Sequence, residues 1–209
     1  MADDPHAIQS LDQLRRVIPD PAQLVIDKTR PTLDIHSRRI IGLSPLVLIS
    51  TQGADGRADV SPKGDPPGFV LVLDDTSLAI PDRPGNNRAD TLVNLLANPA
   101  IGLWFCVPGL SETLRVNGRG RLTQDPDLLA RLAVRGREPK LAIVVDVEEA
   151  FLHCGKALIR SKLWDDDNRI DRTEVPSLAR MLADQLALDD AVVAASEEYL
   201  AEDYRSGLY

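Results

Sequence analysis

Between Asp59 and Arg88 the chain alternates loops that no helix tolerates with apolar runs too short to be helices. Asp59-Val-Ser-Pro-Lys-Gly-Asp-Pro-Pro-Gly68 leads into Phe69-Val-Leu-Val-Leu73, the turn Asp74–Ser77, then Leu78-Ala-Ile-Pro81 and a second loop, Pro81-Asp-Arg-Pro-Gly-Asn-Asn-Arg88. Proline lacks an N–H and fixes φ, and glycine reaches φ values closed to other residues, so both loops force turns. The apolar runs between them have strand length. The pattern continues on either side. Pro45–Thr51, the turn Gly53–Gly56 and Arg57–Pro62 read as a hairpin. Ile101–Val107, Glu112–Gln124 and Leu141–Val147 read as further strands. Helical spacing covers residues 6–18, ended by Pro19, and 21–28; residues 32–41 are helical or irregular. Helices are also expected from Arg88 to Ala97, capped by Asn86 or Asn87, and from Pro126, after Asp125, to Arg135. Residues 155–163 read as helix or a turn-rich continuation, and 177–186 and 191–204 as amphipathic helices. Six to seven mostly antiparallel strands with peripheral helices make an α+β, mainly β, chain built on a small barrel.

The acidic balance, 24 Lys and Arg against 32 Asp and Glu, argues against a nucleic-acid partner, because duplex binding needs clustered cations. The start of the chain has no cationic segment followed by an apolar one, and no apolar run has membrane-spanning length. The two cysteines, Cys106 and Cys154, lie far apart in sequence, which fits a reducing compartment. The expectation is a cytoplasmic protein without a membrane partner.

Three stretches carry candidate chemistry. Asn86-Asn87-Arg88 opens a helix, where unpaired N–H groups and the helix dipole favour an anion. A cation at that position is wrong for the dipole, and a bound anion would remove the conflict; the simpler alternative is an Asn cap beside a solvated Arg. Ser61-Pro62-Lys63-Gly64 offers donors to a phosphate or a planar heterocycle, or is a plain turn with an exposed Lys. Arg115, Arg119 and Arg121 share one strand face, which reads first as a solvated face, with Arg115 the exception because it follows the loop 108–111. Other readings fail. His153 and Cys154 are neighbours on an extended segment and point apart, so they make no catalytic pair. The acidic loop Asp165–Pro176 lacks the Gly and the bidentate Glu of a calcium loop, having Ile170 and Pro176 there. No His/Cys spacing suits zinc, so no metal is expected.

Four blocks together resemble the pyridoxamine 5′-phosphate oxidase-like superfamily of FMN-binding split barrels. More closely, they resemble its branch of FMN-dependent enzymes with the Asp-Val-Ser-Pro-Lys-Gly-Asp-Pro-Pro-Gly-Phe motif. The blocks are Asp59–Phe69, Ile80–Arg88, Glu112–Gly118 and Phe151–Trp164, within roughly residues 30–165. The resemblance implies a split barrel at 31–165, preceded by an N-terminal helical segment (1–30). A C-terminal helical extension (166–209) would pack on the barrel or on a partner. It implies a homodimer with FMN at the interface. It assigns Val60, Ser61, Pro62 and Lys63 to the ring and ribityl chain, Asn86, Asn87 and Arg88 to the phosphate, and Thr113 and Arg115 to the flavin from the partner subunit. Trp164 matches an aromatic residue near the flavin, in a different local order.

The implied activity is an FMN-dependent oxidoreduction of a small molecule, with catalytic residues unassigned. The cofactor supplies the redox chemistry, so the absence of a catalytic triad or carboxylate pair is in keeping. No segment matches the cationic substrate-binding segment of the vitamin oxidase, so pyridoxamine 5′-phosphate is not the expected substrate. The alternatives are a flavin carrier without turnover, or the same fold with a deazaflavin or haem.

Overall fold

The computed structural model describes residues 4–209; Met1–Asp3, the start of the expected N-terminal segment and of the stretch read for a targeting signal, lie outside the described residues. Seven strands form one sheet: β1 (Leu46–Gln52), β2 (Ala58–Gly64), β3 (Leu71–Val72), β4 (Ser77–Pro81), β5 (Ala100–Cys106), β6 (Thr113–Thr123) and β7 (Ala142–His153). Their order is β2-β1-β5-β6-β7-β4-β3, and every pairing is antiparallel. Four neighbouring pairs are consecutive in sequence, as the turn signals imply; β1–β5 and β4–β7 are the long-range closures. The result is a split, unclosed barrel with β2 and β3 as its two edges.

Helices fill in around it: α1 (Leu11–Val17), α2 (Gln23–Asp27), α3 (Ile35–Leu43), α4 (Asp90–Ala97), α5 (Pro126–Arg131), α6 (Lys156–Ser161), α7 (Leu178–Leu186) and α8 (Asp190–Ser206). The inner face of the sheet carries Val47, Ile49, Leu103, Phe105, Leu114, Val116, Ile80, Ile143 and Val145, closed over by Ile40 and Ile41 of α3 and Leu95 of α4. The other face of β4 and β7 (Ala79, Ala142, Val144) is buried under Leu128 and Leu129 of α5 and the adjoining Leu132. Burial on both faces explains why the start of β7 reads as a continuous apolar run instead of an alternating one.

Several boundaries differ from the sequence reading, each for a local reason. α4 begins at Asp90, not Arg88, because Asn87 and Ala89 adopt left-handed backbone (φ 58° each). Ala89 is its N-cap, and neither Asn caps it. α5 stops at Arg131 because Arg135 (φ 51°) and Gly136 (φ 76°) form a tight turn closed by reciprocal Val134–Arg137 hydrogen bonds. β3 keeps two residues, since Phe69 and Val70 turn into the core without pairing. β7 runs six residues past Val147 because β6 is long enough to pair with it throughout.

At the shift in register between Asn117 and Gly118, strands β6 and β7 press together. A Cβ on Gly118 would lie 2.1 Å from the Asp146 carbonyl oxygen, which is backbone and cannot swing aside. Gly118→Ala is expected to lower stability by about 2–3 kcal/mol, through overpacking in a central strand. Thermal unfolding should show a drop of roughly 4–12 °C for a chain of this size; a change within a degree would mean the bulge absorbs the methyl group.

The terminal helices are lightly held. α1 and α2 bury no residue, and the chain behind them is pinned to β7 by reciprocal Arg30–Ala150 hydrogen bonds. α7 and α8 pack on each other through Ala179, Ala183 and Val193. Leu178, Leu182, Leu186, Val192 and Tyr199 stay exposed. No helix among the described residues is long and apolar enough to cross a membrane.

Candidate functional site

The two loops singled out by sequence come together along edge strand β2. Residues 59–65 run beside residues 82–91, cross-linked three times. Thr91 Oγ1 lies 3.3 Å from Asp59 Oδ2, Lys63 Nζ pairs with Asp82 at 3.5 Å, and Arg83 Nε donates to Asp65 Oδ2 at 2.6 Å. Asn94 of α4 also donates to Thr51 of β1, at 3.0 Å, which seats the helix start against this edge. Arg88 pairs with Asp90, and Asn86 Oδ1 accepts from the Arg88 N–H at 3.1 Å. The hydrogen bond and charge of Asp90, with a smaller contribution from Asp59, push the Arg88 pKa further up. The conflict between Arg88 and the helix dipole is thus already offset within the chain.

Three cations, Lys63, Arg83 and Arg88, meet four carboxylates, Asp59, Asp65, Asp82 and Asp90. The pairs are not equivalent. Arg88 and Asp90 are 77% and 44% exposed, so their attraction is weak and easily exchanged. Asp65 and Arg83 are 1% and 14% exposed and form a structural pair. Arg83 also donates to the Leu132 carbonyl at 2.9 Å. Arg88 is therefore the most exposed of the three paired cations; Lys63 is 25% exposed. Ala89 provides no side-chain cap, so the first N–H groups of α4 keep no side-chain partner.

The pleat of β2 divides its residues. Asp59, Ser61 and Lys63 are half-buried on the inner face, opposite Thr51, Ile49 and Val47; Val60 and Pro62 lie on the outer face. The outer face carries a row across five strands: Pro62, Leu48, Trp104, Arg115 and Phe151, each in register with the next. From Pro62 to Arg115 is three interstrand steps, about 14 Å. Arg115 is exposed, its guanidinium 5.1 Å from the centre of the Phe151 ring, with Lys28 Nζ at 5.7 Å from the same ring. Arg119 and Arg121 are exposed as expected. Thr113 is buried on the same outer face and accepts from Trp104 Nε1 at 3.1 Å, so its hydroxyl steadies Trp104. Trp164 is half-buried and donates to the Leu110 carbonyl at 2.9 Å, close to where Gly155 packs on Ser111.

Of the ten residues assigned from sequence, Val60–Lys63 and Asn86–Arg88 thus line one edge. Thr113 and Arg115 share the outer sheet face with Val60 and Pro62, and Trp164 anchors the loop after β5. Sequence reasoning missed Asp65, Asp82 and Arg83, although all three sit inside the motifs it quoted. It also missed Leu48, Trp104 and Phe151. Trp104 lies within a continuous apolar run, and only the strand register puts it in a row with Arg115. Two surface hollows, about 470 Å³ along α8 and about 280 Å³ between α5 and strands β6 and β7, include none of the ten.

A family model described as pyridoxamine 5′-phosphate oxidase matches residues 33–154, more than half of the chain. No curated protein matches the chain. Among solved structures it is similar to HupZ from Group A Streptococcus, with 19% identity over 57% of this chain and 92% of that one and a TM-score of 0.47. It is also similar to a protein related to general stress protein 26 from Clostridium acetobutylicum (17% identity, 57% of this chain and 87% of that one, TM-score 0.45). A third is the conserved hypothetical protein Rv2991 from Mycobacterium tuberculosis (11% identity, 75% and 96%, TM-score 0.44).

Proposed function

The chain belongs to the pyridoxamine 5′-phosphate oxidase family, and from that premise we propose that it binds FMN along edge strand β2 and works as an FMN-dependent oxidoreductase on a small molecule. The observation that carries this reading is the convergence of residues 59–65 with residues 82–91, which sets an exchangeable Arg88, Lys63 and an uncapped helix start along one edge of the sheet. That donor set suits a phosphate dianion. An edge strand also has main-chain groups free of sheet pairing, which suit the polar rim of a flat heterocycle.

When bound, FMN supplies the electron-transfer chemistry. The chain's own residues bind and orient. Arg88, the Asn87 backbone and the α4 N–H groups would hold the phosphate, and Val60, Ser61, Pro62 and Lys63 would hold the ring and ribityl chain. A positive Lys63 near the ring would favour added negative charge there. The half-exposed row Leu48, Trp104 and Phe151, with exposed Val60 and Arg115 beside it, is an apolar surface for a second subunit. We place Thr113, Arg115 and Trp164 of one subunit against the flavin of the other on this reading. Residues 31–165 would be the flavin-binding unit, with the segments on either side packing on it or on the partner.

Purified protein should show a flavin absorption spectrum after incubation with FMN, and light scattering should give a mass near twice 22.9 kDa. Pyridoxamine 5′-phosphate should not be turned over. A monomer that holds stoichiometric FMN would overturn the shared site, and a protein that never retains FMN would overturn the cofactor. Reoxidation of the reduced holoprotein by candidate acceptors separates an enzyme from a carrier.

A further inference from the structure

At the seam of the split barrel, Asp65 holds two partners. One is Arg83, 18 residues on; the other is Tyr209, whose hydroxyl donates to Asp65 Oδ1 at 2.5 Å across 144 residues. The Tyr209 ring lies between two guanidinium groups, Arg83 at 5.9 Å and Arg135 at 5.2 Å from its centre. Arg137 donates to the Tyr209 main-chain oxygen. Arg135 and Arg137 are presented by the turn at Arg135–Gly136, where a non-glycine residue is held in left-handed backbone, a conformation that costs about 1 kcal/mol. Strain of this kind persists only where the surroundings enforce it. α8 itself touches the barrel little, so this contact of Tyr209, beyond the helix end, is where the C-terminal segment meets the sheet edge. It also lands on the residue pair that fastens β2 to the start of the 82–88 loop.

We propose that Tyr209 is a positioning residue, a latch that clamps Asp65 and Arg83 and so holds loop 82–88 in the conformation that presents Asn87 and Arg88. Its relevance to phosphate rests on the flavin reading above; the latch itself does not. The chemistry is specific: the phenol supplies a hydrogen bond to a buried carboxylate, and the ring packs near the guanidinium groups of Arg83 and Arg135. The groups facing the phenol are Asp65, Arg83 and Arg135. Asp65 raises the Tyr209 pKa above the ordinary tyrosine range, against the opposing pull of Arg135 and Arg83. The phenol is neutral below that pKa, so the latch is complete at neutral pH and is lost as pH rises through the raised value, where two anions would meet.

Hydrogen exchange at the Asp82 and Arg88 amides, the two in this loop that donate hydrogen bonds, tests this in the ligand-free 209-residue chain, in the wild type, Tyr209→Phe and Tyr209→Ala. Tyr209→Ala should speed exchange in that loop by roughly tenfold or more, and Tyr209→Phe, which keeps the ring, should fall between. The phenolate absorbance titration should lose its highest-pH component in Tyr209→Phe. FMN titration should show roughly tenfold weaker binding for Tyr209→Ala. Unchanged loop exchange in Tyr209→Ala overturns the latch, whatever FMN does. If the loop loosens but the wild type never binds FMN, the latch stands and the flavin reading falls. If the wild type binds FMN and the variant matches it in exchange and affinity, the flavin reading stands and the latch falls.

Discussion

Replacing Arg88 by Ala should weaken FMN binding about ten- to a hundredfold, the loss of one charge-assisted contact to a phosphate, on the order of 1.5–3 kcal/mol. The wild-type Arg88 must first leave Asp90. Because both groups are well exposed, that exchange costs little, and the gain on meeting a dianion dominates. Asp90→Asn should therefore tighten binding slightly, since it removes both the competing carboxylate and a like charge beside the phosphate. Fluorescence quenching of FMN on titration with apoprotein measures both. The stability of the fold should change little in either variant, as neither side chain is buried. Equal affinities in the wild type and Arg88→Ala would remove residue 88 from the phosphate site.

Asp65→Ala should lower stability by about 3–5 kcal/mol, because it leaves the Arg83 guanidinium largely buried without its counter-charge. That is a large part of what holds a domain folded. The double variant Asp65→Leu with Arg83→Met should recover part of the loss, since no charge is then left unpaired and only the neutral Tyr209 hydroxyl and Leu132 carbonyl lose their partners. Urea unfolding of the three proteins decides it. If Asp65→Ala costs under 1 kcal/mol, Arg83 reaches solvent or another acceptor, and the seam of the barrel is not closed by this pair.

The strands were legible because their signals are local. Pro and Gly mark the turns, and the apolar runs between them have strand length, so five of the seven strands fall close to where periodicity puts them. The misread boundaries have non-local or conformational causes. Asn tolerates left-handed backbone, but nothing in the sequence marks Ala89 for it, and Asn86 and Asn87 look like caps because they are good ones elsewhere. The extra length of β7 depends on β6 lying beside it. The site divides in the same way: residues 61–63 and 86–88 stood out by type and spacing, while Trp104 and Phe151 looked like core.

The sequence by itself determined the strand segments, the two turn-rich loops, the family resemblance and the anion-suited residues, because each depends on side-chain type and short spacing. Only the tertiary structure decided that Lys63 and Arg83 are already paired with carboxylates, that Arg88 is the most exposed of the three paired cations, and that Tyr209 reaches Asp65. These depend on which strand forms the edge and on how far the sheet curls. Such quantities are set by packing across the whole chain: contacts between residues 18 to 144 positions apart leave no periodic trace in the order of amino acids.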